Sequence, residues 1–497
     1  MPNMNRRDLF RISGLAAQAA TGAPAQTAKR ITSERPPNIL WVCSDQQRFD
    51  TIEGLNNSHI HTPNLRHFMS EAVTFTNAFG QNPICSPSRA SFLTGRYPHT
   101  AGLCMNGQRI RSSERLVTRI LADFDYTCGL AGKLHLSPCA GGRLEDRIDD
   151  GYSRFSWSHD NANQWPGHNM WRVWLESQGV KWPERLRDPA GVPLDAKYMQ
   201  TAWCADRAID FMRDQRTFGP WLMSVNIFQP HYPFLPAKEI LDRYDPEKLP
   251  APAWHAGELD SKTAYQRTAQ ANSAYPFLKM DDLARRRVTA AYYAMIEQVD
   301  DAFGRMLKAL EDSGQADNTI VIYMSDHGEM LGDHGFYLKG PHFYDPATRV
   351  PLMIRWPKHY AAGLKCDALV ELLDLAPTLL EAAGIPVPEA MQGKPLTALL
   401  TGKSTAHRDS VFSEFYDFHP RYQQSITASS VRTASAKLTV YHDLASGELY
   451  DLRKDPGEFK NLWSESNSRP LKEDMTMTLL QRLAATVDSM PVRKAPW

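Results

Sequence analysis

Reactive polar residues follow four short apolar runs of the sequence. They are Asp45 and Gln46 after the first run, Lys133 and His135 after the second, His231 after the third, and Asp326 and His327 after the fourth. Open parallel sheets bind ligands outside the carboxyl ends of their strands, so four parallel strands would bring these side chains to one edge. A single polar residue after a strand is usually a turn or a cap. The coincidence of all four predicts an active site at that edge.

A cysteine at position 85 opens the most specific motif of the chain. Residues 83–96 read PICSPSRASFLTGR. Pro87 suits the first turn of a helix, which places Cys85 at the N-terminus of that helix. Backbone N–H groups and the helix dipole favour negative charge there, so a thiol at this position is predicted to be reactive. Arg89 lies one turn further along and could project beside it.

The motifs of this chain resemble those of the type I, formylglycine-dependent sulfatases of the alkaline phosphatase superfamily. They occur in the same order along nearly the whole chain: NILWVCSD at 38–45, CSPSR at 85–89, GKLH at 132–135, PH at 230–231, SDHG at 325–328 with Lys339, and ELYDL at 448–452. The resemblance implies hydrolysis of a sulfate monoester to an alcohol and inorganic sulfate.

In that family the signature cysteine becomes an aldehyde. The resemblance implies that a formylglycine-generating enzyme acts on Cys85 and that the resulting formylglycine hydrates to a geminal diol. One hydroxyl would attack sulfur and expel the alcohol, and the other would lose its proton and eject sulfate as the aldehyde reforms. An unmodified cysteine before a helix would be a structural residue in an arbitrary protein.

The remaining basic side chains have roles implied by the same resemblance. Lys133 and Arg89 would neutralise the sulfate and support the diol, and His135 would be the base that releases sulfate. His231 and Lys339 would lie beside the leaving oxygen, with one of them donating its proton.

Five ligands are expected for one divalent metal: Asp45, Gln46, Asp326, His327 and an oxygen of residue 85 after conversion. Carboxylate and amide oxygens suit Ca²⁺ or Mg²⁺, and the histidine brings Mn²⁺ into consideration. Ca²⁺ is the expected ion, with Mn²⁺ and Mg²⁺ as alternatives. The commonest family pattern has Asp-Asp and Asp-Asn at these two places. The combination found here resembles that of choline sulfatases and phosphonate monoester hydrolases.

The elements that must position these residues can be predicted from periodicity. Short apolar runs lie at 39–43, 128–131, 221–227 and 319–324 and alternate with longer amphipathic stretches. This pattern predicts an α/β fold with a large, mostly parallel sheet flanked by helices. Helices are expected at about 285–313 and 369–383.

The stretch from about 136 to 285 shows no regular pattern and is predicted to form long excursions from the sheet. It contains several aromatic residues: Trp157, His159, Trp165, Trp171 and Trp174. Two interpretations stay open for them, the wall of a substrate pocket and packing beneath a long loop.

The domain organisation follows from shifts in composition. Residues 36–404 are expected to form the catalytic domain. Residues 405–497 are expected to form a smaller α+β subdomain with an antiparallel sheet, strands at 437–441 and 448–452 and a closing helix near 470–488. Residues 1–30 contain NRRDLFR and then seventeen uncharged residues. This leader resembles a twin-arginine export signal to the bacterial periplasm, with a disordered basic leader as the alternative.

Composition excludes several classes of function. The 497 residues carry 56 Lys and Arg and 56 Asp and Glu, so there is no net charge to attract nucleic acid or an anionic membrane. Seven scattered cysteines do not form a small disulfide framework. No apolar stretch approaches the roughly 18 to 20 residues of a membrane span. The expected partner is a small-molecule or glycan sulfate ester.

Two other functions stay open at this stage. A phosphonate monoester or phosphodiester hydrolase could use the same side chains, because tetrahedral sulfate and phosphonate groups present similar oxygens. A catalytically silent glycan-binding protein could keep the fold. A silent glycan-binding protein would have no chemical use for Lys133, His135, His231 and Lys339.

Overall fold

The computed structural model describes residues 35–488, apart from 56, 162–164, 184–185, 187, 216–217 and 418–424. The predicted export leader at 1–30 lies outside the described residues. Within these ranges, no helix combines the length and the apolar character that crossing a lipid bilayer requires.

The described part of the chain forms thirteen strands and thirteen α-helices. The strands are β1 Asn38–Ser44, β2 Val73–Phe79, β3 Thr127–Gly132, β4 Tyr152–Trp157, β5 Trp221–Ile227, β6 Thr319–Ser325, β7 Arg349–Arg355, β8 Lys365–Cys366, β9 Val370–Glu371, β10 Ser410–Asp417, β11 Ile426–Thr433, β12 Ala436–Tyr441 and β13 Ser446–Asp451. The helices are α1 Pro63–Met69, α2 Cys85–Thr94, α3 Pro98–Ala101, α4 Val117–Asp123, α5 Met170–Ser177, α6 Gln200–Gln215, α7 Lys238–Leu241, α8 Ala264–Ala271, α9 Asp282–Asp312, α10 Asp345–Thr348, α11 Leu375–Ala382, α12 Thr397–Leu400 and α13 Arg469–Ala485.

The first nine strands form one sheet in the order β4-β3-β5-β1-β6-β7-β2-β8, with β9 beside β2. The neighbours β3, β5, β1 and β6 are mutually parallel, whereas β7 runs antiparallel to both β6 and β2. These four parallel strands are the four apolar runs of the sequence. The predicted mostly parallel α/β sheet is therefore confirmed, and the carboxyl ends of the four strands lie side by side.

Helices cover both faces of this sheet. Along β1, Ile39, Trp41 and Cys43 pack into one core with α2, α4 and α11. Leu40 and Val42 point the other way, into a second core with α1, α6 and α9. Because alternate side chains of a strand point to opposite faces, a strand covered on both sides must be apolar throughout. This explains why these strands appear in the sequence as uninterrupted apolar runs.

The last four strands form a separate antiparallel sheet in the order β10-β11-β12-β13. Helix α13 packs on it through Met475 and Leu479, against Val431 and Leu438. The predicted antiparallel sheet with a closing helix is therefore confirmed. The boundary at 404 stays a prediction.

Several elements differ from their prediction. The stretch expected to be irregular contains the edge strand β4 and the long helix α6. The helix expected from 369 begins only at Leu375, because Val370 and Glu371 pair with β2 as strand β9. Trp157, Trp165 and Trp171 are 5%, 2% and 0% exposed. Trp157 and Trp165 pack against each other, and Trp171 packs into the second core with α6, so their burial favours packing over an exposed pocket wall.

Candidate active site

The carboxyl ends of the parallel strands carry the predicted side chains. Asp45 follows β1, Lys133 follows β3 and Asp326 follows β6, and all three are almost completely buried. Gly132 has a φ of +103°, and a Cβ atom there would lie 1.9 Å from the carbonyl oxygen of Asn226. Only glycine therefore lets β3 end this tightly against β5 and direct Lys133 into the site.

Helix α2 brings the signature motif to the same edge. Cys85 is its first residue, as the sequence predicts, and every residue of the helix is buried. Donor atoms of Asp45, Cys85, Asp326 and His327 all lie within 4.8 Å of one another. This is a compact set of two carboxylates, a thiol and an imidazole.

The thiol of Cys85 lies among positive and polar groups. Its Sγ atom is 2.8 Å from Nζ of Lys339, 3.2 Å from Nε2 of His327 and 3.5 Å from Oδ1 of Asp45. Burial opposes ionisation of the thiol, but Lys133, Lys339 and His327 together hold its pKa well below the usual value. The position of the Cys85 side chain therefore favours a negatively charged atom.

A buried arginine joins the two carboxylates. Arg89 donates from Nε to Asp326 at 2.9 Å and from Nη2 to Asp45 at 3.2 Å. Lys133 donates from Nζ to Asp45 at 2.6 Å. Burial and the neighbouring Cys85 raise the pKa of Asp45, but Lys133, His231 and Arg89 outweigh them and keep it below its usual range. Both cations thus hold the carboxylate ionised and fix its orientation.

The side-chain oxygen of Gln46 is available to a ligand. Its amide nitrogen donates to the carboxylate of Glu329. Its Oε1 atom is buried and has no hydrogen-bond partner among the described residues. A buried polar atom without a partner is costly, and a bound cation would satisfy it. Together with Asp45 and Asp326, this oxygen makes the donor set fit a hard divalent cation.

Glu329 is a residue that the sequence-based prediction missed. It is completely buried and lies three residues after Asp326, in the segment DHGE. That spacing was the only available signal, because the contact with Gln46 spans 283 positions of the chain.

Two histidines complete the cluster around Cys85. Burial and Lys133 hold the pKa of His135 well below its usual value. His231 donates from Nδ1 to the carbonyl oxygen of Tyr232 at 2.5 Å, and burial together with Lys339 lowers its pKa. Both rings are therefore neutral imidazoles near neutral pH. The structure brings all the predicted site residues to one edge of the sheet.

Comparison with known proteins agrees with this arrangement. A family model described as Sulfatase matches residues 37–385, which is well over half of the chain. This protein belongs to the sulfatase family. A second model, described as N-sulphoglucosamine sulphohydrolase, C-terminal, matches residues 332–485 of the sulfatase.

Individual relatives span almost the whole sulfatase. An arylsulfatase of Clostridium perfringens is 30% identical over 464 residues, covering 88% of this chain and 92% of the relative. A choline-sulfatase of Rhizobium meliloti is 27% identical and covers 90% of this chain and 86% of the relative. The solved structure of a phosphonate monoester hydrolase from Silicibacter pomeroyi superimposes with a TM-score of 0.81 at 25% identity, covering 91% of this chain and 96% of that chain.

Proposed function

We propose that this sulfatase hydrolyses a sulfate monoester with a formylglycine hydrate derived from Cys85 as its nucleophile. The observation that carries the proposal is the position of the Cys85 side chain. It contacts two of the expected metal ligands, Asp45 and His327, and the ammonium group of Lys339. The same cluster can activate a nucleophile at this point and neutralise the negative charge of the sulfate that it binds.

In this mechanism the Sγ atom of Cys85 stands in for one hydroxyl oxygen of the hydrate. That hydroxyl loses its proton to solvent and its oxygen forms a bond to sulfur, the bond from sulfur to the alcohol oxygen breaks, and the departing oxygen takes up a proton. The second hydroxyl then gives its proton to a base, the aldehyde double bond reforms, and the bond between residue 85 and the sulfate oxygen breaks. Water restores the hydrate.

His135 is the base of the second step. It is a neutral imidazole whose side chain interacts with that of Cys85. A neutral ring nitrogen next to the second hydroxyl can accept its proton, whereas an imidazolium cannot.

Lys339 is the proton donor of the first step. Its Nζ atom lies within 2.8 Å of Sγ of Cys85. The Nδ1 proton of His231 is already donated to the carbonyl oxygen of Tyr232, which leaves Nε2 of that ring as an acceptor. The lysine therefore protonates the leaving oxygen, and His231 can accept a hydrogen bond from the alcohol once it carries that proton.

One divalent cation would be held by Asp45, Gln46, Asp326, His327 and an oxygen of residue 85. Ca²⁺ is the expected ion, with Mn²⁺ and Mg²⁺ as alternatives. When bound, such a cation acidifies a coordinated hydroxyl and stabilises negative charge on a substrate oxygen. Lys133 and Arg89 hold Asp45 in place, and Arg89 also holds Asp326, so Arg89 acts through the ligands as a positioning residue.

Hydrolysis of a phosphonate monoester or phosphodiester is the second candidate function. The Asp-Gln and Asp-His ligand pairs and the similarity to a phosphonate monoester hydrolase favour it. A silent glycan-binding role is disfavoured, because Lys133 and His135 are buried in the cluster around Cys85 at a desolvation cost that binding alone does not require.

The two hydrolytic functions can be distinguished by comparing a sulfate and a phosphonate substrate that share the same leaving group. Turnover of 4-nitrophenyl sulfate and of a 4-nitrophenyl phosphonate monoester should be compared as kcat/KM in the same preparation. We expect the sulfate to be the better substrate, and a dominant phosphonate rate would reverse the assignment. Cys85→Ala is the control for contaminating hydrolases.

Export to the periplasm is proposed from the leader at 1–30. Periplasmic accumulation should be lost when Arg6 and Arg7 are both replaced by lysine, because twin-arginine recognition depends on the arginine pair. Unchanged fractionation of that variant would show that the leader has another role.

A further inference from the structure

A second group of metal-ligating side chains lies beside the nucleophile. It consists of His135, Cys139 and His159, and one donor atom of each lies within 4.8 Å of the others. The three residues are 9%, 8% and 9% exposed. His135 and Cys139 are on the segment that follows β3, and His159 follows β4, so two adjacent parallel strands bring them together.

Three of the four ring nitrogens of this group have no hydrogen bond to a described residue. Nδ1 of His135 and both ring nitrogens of His159 are buried without a hydrogen bond to any described residue. Nδ1 of His159 lies 3.5 Å from a carboxylate oxygen of Asp160. Such a carboxylate favours a proton on Nδ1, which leaves the lone pair of Nε2 for a ligand. Unpaired ring nitrogens that converge on a buried thiol point to a ligand that accepts electron pairs from all three.

We propose that His135, Cys139 and His159 form a binding site for a soft divalent cation of the Zn²⁺ class. One thiolate and two imidazoles are the donors that Zn²⁺ prefers, whereas Ca²⁺ requires oxygen. Binding replaces the thiol proton of Cys139, which passes to solvent, by a bond from sulfur to the metal. A tetrahedral site has donor atoms roughly 3.5 Å apart, so these donors must close by up to about 1.3 Å.

Zinc at this site would inhibit the sulfatase. A neutral imidazole that ligates through Nδ1 keeps its proton on Nε2, so His135 could no longer accept a proton there. This consequence rests on the proposed function of His135 as the base. The binding of zinc does not rest on it, and the two can be tested separately.

Binding can be measured with Co²⁺ as the probe. The titration uses the Cys85→Ser variant, which lacks the thiol next to this group. Saturation with Ca²⁺ first fills the site formed by Asp45, Gln46 and Asp326. Titration with Co²⁺ should then give a thiolate-to-cobalt charge-transfer band that Zn²⁺ abolishes. The band should disappear when Cys139→Ala is added, and His159→Asn should weaken binding at least about tenfold. Adding Cys104→Ala, a cysteine outside the group, should leave the band unchanged.

An equal band with and without Cys139, or no zinc-sensitive band in the starting protein, would overturn the proposal. Ca²⁺ binding and the melting temperature report whether each variant is folded. If Cys139→Ala does not fold, the loss of affinity in His159→Asn tests the proposal instead. In converted enzyme, the zinc concentration for half-inhibition should rise at least about tenfold with Cys139→Ala. Zinc binding without inhibition would support the proposed site and contradict only the role of His135 as the base.

Discussion

The carboxylate of Glu329 accepts a hydrogen bond from the amide nitrogen of Gln46. The same carboxylate accepts hydrogen bonds from the backbone N–H groups of Leu331, at 2.9 Å, and Leu338. Glu329 therefore ties the loop after β6 to Gln46, the second residue after β1, and it determines which end of the Gln46 amide faces the expected metal. In metal sites such indirect contacts orient the ligands and set their affinity.

Replacing Glu329 by Gln should weaken divalent metal binding about 10- to 100-fold although every proposed ligand remains. A glutamine side chain can also donate, so it no longer fixes the orientation of the Gln46 amide. Calorimetric titration with Ca²⁺ measures the affinity. Glu297→Gln is the matched control, because this glutamate is also buried, at 5% exposed, but pairs with Arg243 away from the site. Equal affinity of wild type and Glu329→Gln would refute the orienting role.

Replacing Cys85 by Ala should abolish hydrolysis while the melting temperature stays close to that of wild type. The substitution removes the nucleophile, but the helix that Cys85 begins keeps its other buried contacts. Mass spectrometry of the peptide that contains residue 85 should detect the aldehyde in active protein. Fully active protein that contains only the free thiol would contradict the proposed chemistry.

Replacing Lys339 by Ala should slow turnover about 10²- to 10⁴-fold, with the larger loss for alkyl sulfates. An alkoxide is a poor leaving group that needs a proton, whereas 4-nitrophenolate leaves without one. The slope of log kcat/KM against the pKa of the leaving alcohol should therefore become steeper. Lys365→Ala, an exposed lysine in β8, serves as the control. A loss independent of the leaving group would mean that Lys339 only stabilises charge.

The sequence was informative where burial alone determines a pattern. Strands β1, β5 and β6 are buried on both faces, so each is a continuous apolar run that can be recognised without knowing its neighbours. Strand β2 mixes threonine and asparagine with apolar residues, and the edge strand β4 exposes Ser153 and Arg154. Neither strand has a pattern that distinguishes it from a loop.

The site shows the same division. Cys85, Asp45 and Asp326 belong to local motifs and could be predicted. Glu329, and Cys139 of the proposed zinc site, could not, because each acts through residues that the fold brings together from the ends of different strands. No local spacing indicates that a glutamate will meet a glutamine 283 positions away.

His99 gives a prediction about pH and stability away from the site. Its Nδ1 lies 2.8 Å from Oε2 of Glu414 in β10, and its Nε2 lies 3.0 Å from the carbonyl oxygen of Thr486 after α13. Both neighbours are acceptors, so only the imidazolium satisfies both. Burial opposes this charge, but the hydrogen bond with Glu414 outweighs it and raises the pKa of His99.

A raised pKa in the folded state stabilises the protein below the unfolded value of about 6.5, and this stability is lost as pH rises through the folded pKa. His99→Gln keeps a polar side chain that does not titrate. Urea unfolding should therefore show a larger destabilisation by His99→Gln at about pH 6 than at about pH 8.5. If the difference in unfolding free energy between the two proteins is the same at both pH values, the imidazolium does not link α3 to the second sheet.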